Sequence, residues 1–406
     1  MLHRAAAAAV ACLFAGLGPA QAQDHPFQVG ASLSINHDSN LFRLPDGATP
    51  ASVRSRADTL TSGSLLAGAD LHFGRQRLRG QANVSENRFS NNDQLNNRSH
   101  GAKLMLDWET IGRLSGRLGA SSNRSLRKFD PAEAGGGLER NIETVEQAEA
   151  LARLGGVTRL TFEGGVTGRR VDYSSPRYRA RAYRQDTGSL GLRWRPGGAT
   201  TLGIGLRRTD GRYPNTGDRF DREDIDLFVT WVPSGLTILD ARLSRGRIAY
   251  ERFTERNFTG FNGALKAIWA PTGKLKFTLR AARDTGQDSN FITFADELVI
   301  GTSDFSRTTN SLRFDAAYAL SAKISVSAGL VHLRRSLVGR RDDVFGSDVT
   351  HGSDRTTLAT LGLRWAPWRS VLLGCDLNHD QRSAAGIGSS PYKADGLGCF
   401  GQWMLP

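Results

Sequence analysis

Between residues 257 and 283 the chain reads NFTGFNGALKAIWAPTGKLKFTLRAAR, and its polarity changes at almost every step. Phe261, Gly263, Leu265, Ala267 and Trp269 alternate with Asn262, Ala264, Lys266 and Ile268. After the turn Pro271-Thr272-Gly273 the alternation resumes, with Leu275, Phe277, Leu279 and Ala281 set against Lys276, Thr278 and Arg280. A period of two means a β-strand with one apolar and one polar face. Each run reaches about ten residues, roughly twice an ordinary soluble strand and enough for a tilted strand to cross a bilayer. The Lys/Arg face should therefore meet water and the other face lipid.

The unit recurs. Trp194 ends a strand and is followed by Pro196, Trp231 by Pro233, Trp365 by Pro367, while Trp108 ends a similar strand without the proline. Trp194, Trp231 and Trp269 are spaced 37 and 38 residues apart, the length of two long strands with their connections. A Trp repeated at the lipid-facing end of a strand beside a short turn reads as an interfacial girdle, here Trp108, Trp194, Trp231, Trp269 and Trp365. A soluble β-propeller has a similar period. Its blades need four short strands, however, and these runs continue for a dozen residues without a turn signal.

The N-terminus sets the compartment. A short basic start, an apolar stretch from Ala5 to Leu17 and the triplet Ala20-Gln-Ala22 read as a secretory signal over residues 1–22. Residues 23–406 then form a single outer-membrane domain, since no Pro- or Ser-rich linker divides them. A mean hydropathy of −0.37 with 39% apolar residues fits either a secreted soluble protein or a barrel with a polar interior, and the alternation selects the barrel. The net charge is +13, and only seven of the 53 basic residues are Lys. Export argues against a nucleic-acid partner, so the excess points to an anionic solute or to lipopolysaccharide at the rim.

Short links are expected near 74–76, 110–112, 155–158, 196–198, 233–235, 271–273, 321–322 and 367–369. Longer polar segments are expected near 37–58, 91–98, 127–141, 174–182, 212–222, 249–256, 286–305, 339–354 and 383–390. Together they join about eighteen strands (sixteen is the alternative) in an all-β, antiparallel, up-and-down transmembrane barrel of the bacterial outer membrane, with short turns on the periplasmic side. Residues 139–154, ERNIETVEQAEALARL, are rich in helix formers. They are read as a strand, because omitting one would invert the next hairpin.

Residues 36–46, NHDSNLFRLPD, resemble the EpsL-type outer-membrane barrels of exopolysaccharide operons, a β-barrel porin group. Asp38, Asn40, Leu41, Phe42 and Arg43 carry the likeness, supported by Asn87-Arg-Phe89 and Asp107-Trp108. The resemblance implies a conduit for exopolysaccharide, with polysaccharide and periplasmic export proteins as partners beside the membrane lipid. Two alternatives stay open: a general anion-preferring porin, and a lipid-hydrolysing barrel. The last rests on His37-Asp-Ser39, which looks like the His-x-Ser stretch of lipid A deacylase barrels; His351-Gly-Ser353 repeats the spacing. The third member and the oxyanion donors are not visible, so the expectation is a non-enzymatic protein.

Strand parity turns Arg77, Arg79, Arg113, Arg117, Arg193, Arg195, Arg207, Arg242, Lys266, Lys276, Arg280, Arg313 and Arg364 inward, a basic lining that would attract anions. Asp107, Asp226, Asp240, Asp315 and Asp376 share that parity and could instead pair with the arginines and brace the wall. No cofactor is expected. The eight histidines are scattered and the cysteines lack ligand spacing, so no metal site is expected either. Cys12 would leave with the leader. If the last hairpin closes symmetrically, Cys375 faces Cys399 on the lipid side, within reach of a disulfide in an oxidising compartment.

Overall fold

The computed structural model describes residues 26–48, 53–129, 138–156, 158–252, 254, 257–285, 306–343, 346–386 and 389–405; side chains are not described at 306–307 and 338–350. The expected leader, 1–22, lies outside the described residues. Eighteen strands follow in order. The first nine are β1 (Phe27–Asp38), β2 (Asp58–Phe73), β3 (Gln76–Phe89), β4 (Asn97–Glu109), β5 (Leu114–Leu126), β6 (Ile142–Leu154), β7 (Leu160–Tyr173), β8 (Tyr183–Gly197) and β9 (Thr200–Tyr213). The second nine are β10 (Asp218–Ser234), β11 (Thr237–Tyr250), β12 (Phe258–Trp269), β13 (Leu275–Thr285), β14 (Ser306–Ala319), β15 (Ile324–Asp343), β16 (Gly346–Trp368), β17 (Val371–Gly386) and β18 (Tyr392–Leu405). Each pairs antiparallel with its chain neighbours, and β1 pairs with β18, Ala31 opposite Trp403, so the sheet closes.

Closure leaves no edge, and every strand finds backbone partners on both sides, which is what a bilayer demands of a spanning structure. Side chains alternate across the wall. On β9, Ile204 and Leu206 face out and are exposed, while Arg207 and Thr209 face in and are buried. Val29, Leu65, Leu190, Leu227, Leu312 and Leu361 continue the exposed apolar belt round the barrel. In water such a belt would be costly, and in lipid it is the anchoring surface. The protein is an outer-membrane β-barrel.

Residues 142–154 form β6, despite their helix formers. Ala148, Ala152 and Leu154 take the lipid side while Glu143, Gln147, Glu149 and Arg153 turn inward. Backbone pairing to β5 and β7 outweighs intrinsic propensity here. Two expected loops are instead largely strand. Of the segment 212–222 only 214–217 connects β9 to β10. Of 339–354 most belongs to β15 and β16, which are 20 and 23 residues long. The hydrogen-bond ladder runs on past the apolar belt, where both faces are polar and the alternation that marks a strand disappears.

Candidate pore constriction and inner wall

The stretch after β1 folds into the barrel rather than away from it. Asp38 Oδ1 accepts the Asn40 amide at 2.9 Å, and the Asn40 side chain bonds both the amide and the carbonyl of Leu44 at 2.9 Å, forming a closed turn. Its Nδ2 also reaches the Lys393 carbonyl at 2.9 Å, tying the turn to β18. Arg43 has φ +57, a left-handed conformation unusual for a side chain of this size. The strain is held by partners: the guanidinium meets Asp38 at 2.8 Å and Asp380 at 3.4 Å and lies over the Tyr392 ring at 5.6 Å. Phe42 is fully buried and packs on Phe129 at 4.6 Å between ring centres; Leu44, Val53, Phe89 and Leu95 complete the cluster, with Leu41 packed against it. The five residues that carry the resemblance at 38–43 therefore build an inward-tied loop.

Asp380 is where this loop meets a second one. It lies on the inner face of β17, almost fully buried, and accepts from Lys128 Nζ at 2.9 Å and from the Tyr392 hydroxyl at 3.1 Å. Lys128 belongs to the connection between β5 and β6, which the barrel places six strands from β17. The contact thus runs across the lumen rather than along its wall. Burial, with Arg43 adding repulsion, lowers the Lys128 ammonium from its ordinary 10.5 to about 8. Sequence reasoning missed Lys128, Asp380 and Tyr392. Only the inward parity of Asp380 and Tyr392 could have marked them.

Below the loops, nine of the thirteen inward basic residues meet a carboxylate. Arg77 pairs with Asp70, Arg79 and Arg117 with Asp107, Arg193 with Glu163, Arg207 and Arg242 with Asp226, Arg280 and Arg313 with Asp315, and Arg364 with Asp376. Asp240 accepts instead from Thr230 Oγ1 at 2.8 Å. The inner wall is a lattice of crossed charge pairs. Lys266 sits within it on β12, while Arg113, Arg195 and Lys276 are exposed at the short-link end. The same end carries Trp108, Trp194, Trp231, Trp269 and Trp365, each on the outer face at or near the end of its strand.

His37 and Ser39 are not brought together. His37 Nδ1 is 3.0 Å from Thr59 Oγ1, and Ser39 Oγ accepts the Asp395 amide at 2.8 Å. His37 Nδ1 and Ser39 Oγ thus bond to different residues, and no hydrogen bond joins the pair that the lipid-hydrolysing alternative rests on. Among the described residues no cluster of three or more His, Cys, Asp or Glu is arranged to hold a metal. Cys375 and Cys399 face each other in the β17–β18 register, with Cα atoms 4.1 Å apart, and are joined by a disulfide.

No family model matches the chain, and no curated protein matches it either. Solved structures similar to it include Pseudomonas aeruginosa OpdK with vanillate, at 12% identity and TM-score 0.46, covering 93% of this chain and 98% of that one. Pseudomonas aeruginosa OccK2 (OpdF) in complex with glucuronate is similar at 13% identity and TM-score 0.49, again over 93% and 98%. A BenF-like porin from Pseudomonas fluorescens Pf-5 stands at 11% and 0.47, over 93% and 99%. Likenesses this distant carry no substrate or mechanism across.

Proposed function

We propose that the protein is an anion-preferring porin for small solutes, its lumen narrowed near the long-loop end by the tied loops. The observation that carries this reading is the Lys128–Asp380 contact, which spans the lumen between elements six strands apart. Eighteen strands enclose room for an aqueous channel. A tie across that room obstructs a polymer far more than a small solute. Anion preference is supported by Arg113, Arg195 and Lys276, exposed cations at the short-link mouth with no ion pair to a carboxylate among the described residues, and by the net charge of +13. The paired arginines deeper in offer a field of alternating sign and contribute less to selectivity.

The exopolysaccharide reading keeps one support, the stretch 36–46, whose residues are occupied in building the constriction. A polymer path would require that constriction to open. Planar-bilayer recording tests the proposal: reconstituted barrel should pass chloride in preference to potassium, and replacing Arg113, Arg195 and Lys276 by Ser should reduce the preference. A cation-selective parent would overturn it.

A further inference from the structure

On the outer wall near the long-loop end, one row of basic side chains has no acid beside it among the described residues. Register sets Arg283 of β13 opposite Asn310 of β14, Asn310 opposite Arg334 of β15, and Arg334 opposite Arg355 of β16. All four are exposed and share the outward parity of Leu312 and Leu330. Arg283 Nη1 bonds Asn310 Oδ1 at 3.4 Å. Among the described side chains no Asp or Glu lies on the outer face of β12 to β17 at this level; the row's neighbours are Gly263, Thr308, His332, Ser336, Ser353 and Thr357. Several other outward arginines do find acids: Arg98 meets Glu86 at 2.8 Å, Arg170 meets Asp172, and Arg208 meets Asp221 at 3.7 Å. The outward arginines Arg184, Arg212 and Arg219 also face one another across β8 to β10, but Asp186, Asp210 and Asp221 lie two residues away on the same faces of those strands.

Like charges directly opposite on a sheet repel, and Arg334 faces Arg355 with nothing negative between them. The row also borders a recess of about 540 Å³ whose lining includes Arg283, Thr308, Asn310, Arg334, Ser336 and Ser353, and Arg355 stands at its side, opposite Arg334 on the next strand. Cations, an amide and hydroxyls converging on a recess are a donor set for phosphate, which guanidinium groups bind through paired N–H bonds. Depth identifies the source of that phosphate. Two residues nearer the short links on β14 the wall turns apolar at Leu312, then Phe314, with Leu330 and Leu361 beside them. At about 3.3 Å per residue along a tilted strand, the row stands only about 5–7 Å above the lipid belt.

We propose that Arg283, Arg334 and Arg355 bind the phosphate of an outer-leaflet glycolipid, whose acyl chains lie on the Leu312–Leu330–Leu361 surface. The assignment depends on the orientation of the barrel and is independent of what the lumen carries. It joins charge complementarity to an adjacent apolar surface, a combination that free phosphate does not use.

Native mass spectrometry of the full barrel in detergent tests it, with lipid A, dephosphorylated lipid A and inorganic phosphate as probes. Lipid A should remain bound, and Arg334→Ser/Arg355→Ser should weaken binding about tenfold or more, as expected for losing charge-assisted bonds. Arg98→Ser, on the same outer face but paired with Glu86, should bind lipid A like the parent. The heat-modified gel shift of each variant reports that it is folded. Dephosphorylated lipid A binding equally well, or an unaltered double variant, would overturn the proposal. Inorganic phosphate bound as tightly as lipid A would overturn the glycolipid assignment.

Discussion

Lys128 Nζ lies 2.9 Å from Asp380 Oδ2, joining a loop after β5 to the inner face of β17 across the barrel. Asp380 serves two cations, since Arg43 approaches it at 3.4 Å. Asp380→Asn would leave the Lys128 ammonium buried without its carboxylate and deprive Arg43 of one of two, a change that costs about 3 kcal/mol or more when a buried pair is broken. The barrel should still form, because its ladder does not involve these side chains. The loops should detach from each other, and single-channel conductance should rise. A variant with parental conductance would mean that the contact does not restrict the pore.

The same lysine makes the constriction depend on pH. Packed, its ammonium titrates near 8; released into water, near 10.5. Between those values the released state binds more protons than the packed one, so the packed state gains stability as pH rises through the window and levels off above it. The gain is on the order of 3 kcal/mol. Excursions to a wide-open conductance state should become rarer from pH 7.5 to 10 in the parent, and should be insensitive to pH in Lys128→Met. More frequent opening at high pH would contradict the sign.

Most of the membrane-spanning architecture could be read from alternation, because each spanning strand has lipid on one face and polar groups on the other. Legibility ended where that contrast ended. Residues 339–354 look like a loop because the ends of β15 and β16 have left the lipid, although their backbones stay paired from Arg340–Val349 to Ser336–Ser353. The lining arginines could be placed by parity, but not their partners: Glu163 receives Arg153 and Arg193 from two different strands, a convergence no local pattern contains. The cross-lumen tie was hidden for a related reason. Lys128 and Asp380 are 252 residues apart, and the irregular loop after β5 brings the lysine to the inner face of β17. Arg334 and Arg355 flank the expected loop 339–354, and no local pattern marks either of them. Only the register shows them side by side on the outer wall.

Trp194, Trp231, Trp269 and Trp365 each lie on the outer face beside a short link, with Trp108 in the equivalent place on β4. Single-Trp variants in brominated lipid should therefore show one common quenching depth, close to the periplasmic headgroups, where indole rings settle. Five different depths would break the girdle.

The Cys375–Cys399 bridge sits on the lipid-facing side of the last hairpin, in line with Leu373 and Leu377 on one strand and Leu397 on the other. Thiol–disulfide exchange needs a thiolate to reach the sulfur, and a thiolate is excluded from hydrocarbon. The bond should consequently survive dithiothreitol in the folded, lipid-embedded barrel and yield two alkylatable thiols only after heat denaturation. Its contribution to stability is bounded by its loop: closing 23 intervening residues constrains the unfolded chain by about 3 kcal/mol. In a barrel held by eighteen paired strands that is a small share. Cys375→Ser/Cys399→Ser should fold, close β18 onto β1 and keep its heat-modified gel shift, while losing that shift at a lower temperature than the parent. Rapid reduction of the native barrel would place the bridge in water and displace the β17–β18 register from the lipid face.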